Sequence, residues 1–163
     1  PFFLAKGYIT ENSTEKELEA LIKVVEILRE GAITLKEIAE LADIYYVDSF
    51  ELDKVTEEMN KNERKSVERL YHAIEDETGK KSIKLFIEKL NAANEEITAD
   101  EAKVMLHDTM EEIGEGPGKV LMPLRVVITG RGKGAELYNV ISIIGKTRTL
   151  KRINEMVAKY NIF

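Results

Sequence analysis

The chain has 163 residues, 44% hydrophobic and 33% charged, with a formal net charge of −6; it is long enough to bury a core and too apolar to be disordered. No apolar run reaches the roughly 18 residues that cross a bilayer, and PFFLAKGY lacks the basic start and cleavage site of a secretory signal. With no cysteine there are neither disulfides nor thiolate metal sites, so a reducing cytoplasm is expected.

In chain order, Thr14 and Glu17 form a capping box ahead of Leu18, Leu21, Ile22, Val25 and Leu28. This spacing predicts a helix from Ser13 to Gly31, with Gly31 as its C-terminal cap. Thr34 with Glu37 opens TLKEIAELADIYY on the face of Leu35, Ile38, Leu41 and Ala42. The acidic stretch VDSFELD marks a boundary, dividing the chain into helical subdomains 1–48 and 49–163. Beyond it NERKSVERLYHAIEDETG keeps the stripe Val67, Leu70, Tyr71 and Ile74 and is expected to end at Gly79. SIKLFIEKL and TADEAKVMLHDTMEEIG, the latter with Thr98 boxed to Glu101, follow the same period. GEGPGKVLMP is a break rich in glycine and proline. Pro123 is expected to lead into a short extended run, LRVVITG, followed by the loop RGKG and a helix from near Ala135. Gly145 should close that helix and Thr147 or Thr149 cap the last one, TRTLKRINEMVAKY. No segment alternates with period two long enough for a strand. The expected fold is all-α: two packed helical subdomains with a loop-rich junction.

Charge is distributed unevenly. Residues 119–163 hold nine basic residues against Glu136 and Glu155, a net +7, which leaves −13 on the other 118. Such asymmetry points to a polyanionic partner for the basic part.

Several motifs fail on their surroundings. IIGKTRT lacks the glycine a phosphate-binding loop needs five residues before its Gly-Lys pair, where Val140 stands. TLKEIAELADI is similar to the first helix of a helix-turn-helix, but the following DIYYVDSFELD is acidic and a phosphate-lined groove would repel it, so no DNA partner is expected. His72 and His107 read as ordinary histidines without ligands at metal spacing, and no catalytic constellation can be assembled.

KVLMPLRVVITGRGKGAELYNVISIIGKTRTLKRIN differs because its parts agree. Arg125 offers a planar fork of donors, Gly130, Gly132 and Gly134 let backbone approach a ligand, and Arg131 and Lys133 supply charge. The next helix aims its positive end at that loop. The arrangement suits a splayed single strand, with phosphates at the cations and bases against backbone groups, Arg125 and Leu137. A helical adaptor whose basic C-terminal helix docks an acidic protein is the alternative.

The same segment resembles the C-terminal signature of bacterial glutamyl-tRNA synthetases: Met-Pro-Leu-Arg, then Thr-Gly, a short loop, a helix bearing a leucine, and Gly-Lys before a last helix. TLKEIAELADIYYVD is similar to that family's helix ending in an aromatic cluster and an acid, here Tyr45, Tyr46 and Asp48. The resemblance implies a helix-cage anticodon-binding region and a parent class I enzyme that joins glutamate to tRNA(Glu) with ATP and Mg²⁺ through a glutamyl-adenylate. His-Ile-Gly-His and Lys-Met-Ser-Lys-Ser signatures are absent from these residues, so the chain is expected to need the catalytic domain of the same polypeptide, and Pro1 is read as a truncation point. By the family pattern Arg125 and the loop reaching Leu137 face the bases of the anticodon loop, the implied partner; the RNA-binding residues expected are Arg125, Thr129, Arg131, Lys133, Gly134, Ala135, Leu137, Lys146 and Arg148, with Arg131, Lys133, Lys146 and Arg148 as phosphate contacts. Where the family has Thr-Pro or Ser-Pro, this chain has Gly134 and Ala135, which leaves backbone contacts there. At LREGAITL, Gly31 and Ile33 stand where relatives are basic.

Overall fold

Residues 1–29 and 34–163 are described by the structure, a computed structural model, and every regular element among them is an α-helix. The expected cap at Gly31 and the family departures at Gly31 and Ile33 lie outside the described residues. The chain divides into two compact units, Pro1–Asp48 and Ser49–Phe163.

The first unit holds α1 (Phe2–Ala5), α2 (Glu15–Leu28), α3 (Leu35–Leu41) and α4 (Asp43–Tyr46). Both capping boxes read from the sequence form: Thr14 with Glu17, and Thr34 with Glu37. TLKEIAELADIYY is two helices separated at Ala42, not one. The α4 carboxylate of Asp43 accepts from the Lys6 ammonium at 2.6 Å and from the Tyr8 hydroxyl, while the Tyr8 and Tyr46 rings stack at 4.5 Å. Val24, Leu28, Ile38, Ala39, Ala42, Ile44 and Tyr45 are buried.

Burial pushes the Tyr45 phenol from 10.0 up to about 12. The folded state therefore holds this proton more tightly than the unfolded chain. Its contribution is complete below pH 10 and lost as pH rises to about 12, amounting to roughly 2.5 kcal/mol. Chemical denaturation at stepped alkaline pH should show this loss in the first unit, and Tyr45→Phe should flatten the profile; an equal decline in both proteins would exclude Tyr45 as its source.

The second unit is built from α5 (Lys61–Glu75), α6 (Glu77–Ala92), α7 (Ala99–Ile113), α8 (Pro117–Thr129) and α9 (Leu137–Lys159). The helical period of α5 was expected to run on to Gly79, but the chain turns at Asp76. This residue is extended (φ −66°, ψ 141°), and its carboxylate accepts the Thr78 N–H, making it the N-cap of α6. Gly79 thus lies in the first turn of α6, where α5 and α8 both approach: a Cβ there would sit 2.0 Å from the Ala73 carbonyl oxygen and 3.3 Å from Pro123 Cβ.

LRVVITG is not extended. Pro117 takes the first position of α8, where a missing N–H costs nothing, and the helix continues through Pro123 to Thr129. Val120, Pro123, Leu124, Val126, Val127, Ile128 and Thr129 are buried on nearly every side, and α5, α6, α7 and α9 all contact this helix. A helix surrounded in this way needs no polar face, so its sequence shows an apolar run instead of a stripe.

Gly145 (φ 78°, ψ 175°) kinks α9. The expected caps Thr147 and Thr149 do not close the new turn. The Glu95 carboxylate accepts the Thr147 N–H at 3.2 Å and its hydroxyl at 2.7 Å, whereas the Thr149 hydroxyl donates to the Gly145 carbonyl at 2.7 Å. These Thr147 bonds hold the Glu95 carboxyl below its usual range.

Candidate nucleic-acid interface

The segment between α8 and α9 is a tight, supported loop. Gly130 (φ 68°) is the left-handed C-cap of α8, and a Cβ there would meet Phe50 Cβ at 2.8 Å, so both conformation and space demand glycine. The buried Thr129 hydroxyl donates to the Arg125 carbonyl at 2.7 Å and accepts the Arg131 N–H at 3.2 Å. Thr129 therefore shapes the turn from inside and presents no hydroxyl outward. Leu137, 3% exposed, likewise points its side chain into the core.

Arg125 is half-buried below the loop, and its Nη1 donates to the Ala135 carbonyl at 2.7 Å. Desolvation lowers its pKa and nearby Glu136 raises it, but a guanidinium remains charged at any physiological pH. One donor thus fixes the loop while the rest of the planar fork is held rigid.

Arg131, Lys133 and Gly134 are exposed and Ala135 is partly so. No carboxylate among the described residues pairs with Arg131 or Lys133. Beside them α9 begins with Glu136 at its N-cap position, without a side-chain cap bond and with no acid in its first turn. Two exposed cations, exposed glycine backbone and the start of a helix therefore lie within seven residues of chain, with the Glu136 carboxylate at the helix start.

Lys146 and Arg148 belong elsewhere. They lie past the Gly145 kink, which itself stands about 12 Å of helix beyond Leu137. The Lys146 ammonium donates to the carbonyls of Asn91 and Ala93 at 2.9 and 2.8 Å, closing the end of α6. Other parts of the +7 are also bonded within the fold. Lys159 donates to the Phe50 carbonyl at 2.8 Å, and Arg152, 0% exposed, donates to the Ile128 carbonyl at 3.2 Å with its guanidinium 5.0 Å from the Phe50 ring. Sequence reasoning missed Arg152 as a core residue; its place among Leu150, Ile153 and Met156 was the available signal.

His107 is less isolated than its sequence spacing implied. Its Nδ1 lies 3.9 Å from Asp108 and its Nε2 3.8 Å from Glu111, on an exposed face of α7. Among the described residues no helix is long and apolar enough to cross a membrane.

A family model described as "Anticodon binding domain" matches residues 1–157. The glutamate–tRNA ligase of Fusobacterium nucleatum is 56% identical over 99% of this chain and 32% of its own length. The glutamate–tRNA ligase of Carboxydothermus hydrogenoformans is 36% identical over 94% of this chain and 29% of its own length. The chain thus spans about a third of the length of these curated relatives. A crystal structure of a glutamate tRNA ligase from Elizabethkingia meningosepticum shares the fold with a TM-score of 0.66 at 23% identity, covering 95% of this chain and 27% of the other. Matched along nearly its whole length, the chain belongs to the anticodon-binding domain family.

Proposed function

We propose that this chain is the anticodon-binding region of a glutamyl-tRNA synthetase and that the loop from Gly130 to Glu136 receives unstacked nucleotides of the tRNA(Glu) anticodon. The observation that carries this reading is a carboxylate-free pair of exposed cations, Arg131 and Lys133, beside an uncapped helix start on a chain of net charge −6. Phosphates meet Arg131 and Lys133, bases meet the free donors of Arg125, and the backbone of Gly134 and Ala135 supplies the remaining contacts. Thr129 and Leu137 serve by holding the loop. Lys146 keeps its bonds to the end of α6, and Lys146 and Arg148 stand apart from the loop as a second, flanking position.

The parent polypeptide joins glutamate to tRNA in the cytoplasm, and a catalytic domain outside this chain supplies the ATP and Mg²⁺ chemistry. The residues here do not fit those groups: the Gly145–Lys146 pair forms a kink whose ammonium is bonded to carbonyls. What this region contributes is selection and positioning of the tRNA.

Titration with a glutamate tRNA transcript and a tRNA of different anticodon tests the proposal. Arg125→Ala should weaken the cognate complex by about 1 to 3 kcal/mol and relax base preference. Arg125→Lys, which retains a donor for the Ala135 carbonyl, should keep the fold and still lose base preference. Lys133→Ala should weaken both tRNAs alike and reduce the salt slope by about one. Binding no tighter to tRNA than to heparin would overturn the proposal in favour of an acidic-protein adaptor.

A further inference from the structure

We infer that the groove between α5 and the start of α8 is a second track for RNA phosphates, continuous with the loop; this rests on the reading of that loop as an RNA site. Along α5, Lys65, Arg69 and His72 recur at intervals of four and three and so share one exposed face about 10 Å long. Facing them, α8 opens with Gly116, which makes no side-chain cap bond, then Pro117, Gly118 and Lys119, with no acid in its first turn. Of these, Lys65, Arg69, His72, Gly118 and Lys119 line a groove of about 490 Å³, together with Met122 and Pro123.

The groove is not uniformly positive: it sets Lys65, Arg69 and Lys119 against two carboxylates. Glu68 and Asp76 also line it. Asp76 accepts the Thr78 N–H at 3.0 Å, and Glu115 pairs with Lys119 at 2.8 Å. Lys65, Arg69 and His72 are exposed along it.

Continuity with the loop comes from Gly132. A Cβ at that position would lie 2.9 Å from the Leu70 side chain and 3.4 Å from Met122 Cε. Leu70 follows Arg69 in α5, and Met122 lines the groove. The loop that carries Arg131 and Lys133 thus packs on buried Leu70 and on Met122, and Met122 is the residue it shares with the groove. A strand whose bases are splayed at the loop leaves it along this channel, with phosphates at Arg69 and Lys65 and the imidazole of His72 and the thioether of Met122 lining its path. A docked protein would need a buried apolar or aromatic centre, and the groove supplies only Met122 and Pro123 amid charge.

Charge reversal on the exposed face tests the inference. The probe is the glutamate tRNA transcript, titrated against the whole chain at several salt concentrations. Arg69→Glu and, separately, Lys65→Glu should each weaken binding by about tenfold or more, lower the salt slope, and leave base preference unchanged. Lys84→Glu on α6, whose ammonium lies 4.8 Å from the Phe163 ring and outside the groove, is the control and should change affinity less than about threefold. Both groove positions are exposed, so thermal melting should match the parent chain. If Arg69→Glu and Lys65→Glu behave like Lys84→Glu while Arg125→Ala still weakens binding, the groove is excluded and the loop stands. If the unaltered chain shows no preference for tRNA over heparin, both readings fall.

Discussion

Gly79→Ala is expected to lower the stability of the Ser49–Phe163 unit by about 3 kcal/mol, although alanine is the better helix former by about 1 kcal/mol. The two effects have opposite signs, and the geometry decides between them. Gly79 has no positive φ to relieve, so glycine is not there for backbone freedom. It is there because the new methyl would stand 2.0 Å from the Ala73 carbonyl oxygen, far inside contact distance. That oxygen is backbone, near the end of α5, and cannot rotate away. Retreat in the other direction is limited by Pro123, whose ring lies 3.3 Å from the same point. The helix crossing must open, and close packing at the junction of α5, α6 and α8 is lost with it. Urea unfolding followed by circular dichroism measures the change. A midpoint equal to or above that of the parent chain would show that propensity outweighs the crossing.

Much of this architecture is visible in local sequence, because local chemistry determines it. The boxes Thr14–Glu17, Thr34–Glu37 and Thr98–Glu101 all form, since the groups that cap a helix lie three residues apart on the chain itself. Asn60 with Glu63 forms another that the residues equally permitted. The turn at Asp76 was hidden because no glycine or proline stands at it, so only the Asp-Glu-Thr cap marks the break. The segment around Pro123 misled for another reason. A helix buried on all sides loses its polar face and with it the period that identifies it.

The candidate site divides along the same line. Gly130, Arg131 and Lys133 were legible because glycine spacing and charge are local properties. The orientation of a long cationic side chain is not. Lys146, Arg152 and Lys159 add to the charge count just as Arg131 does, yet each reaches a carbonyl within the fold. The groove was illegible for a further reason, since Arg69 and Lys119 meet only after α5 and α8 have packed together.

Arg152→Ala should be at least as damaging as the glycine substitution, with an expected loss of about 4 to 5 kcal/mol. Two terms add. The side chain is 0% exposed, so truncation leaves a large cavity beside Phe50 and removes the cation–π contact at 5.0 Å. It also strips the Ile128 carbonyl of the donor at 3.2 Å. That carbonyl belongs to the last turn of α8, where no further turn of helix can satisfy it. Arg152→Met separates the terms: it fills most of the volume but offers no donor, and the expected loss is about 2 kcal/mol. Equal losses for the two variants would show that the hydrogen bond, and not the packing, dominates. The consequence extends to the loop after α8 because Phe50 is a neighbour of both Arg152 and Gly130. When the guanidinium is removed, the ring that braces the C-cap of α8 loses its support on one side. Amide hydrogen exchange at Gly130 to Lys133 should therefore accelerate more than exchange in α6, even under conditions where Arg152→Met remains folded. Uniform acceleration across the unit would mean that Arg152 stabilises the core without holding the loop. Selective acceleration would make it the residue through which the core of this domain keeps Arg131 and Lys133 in position.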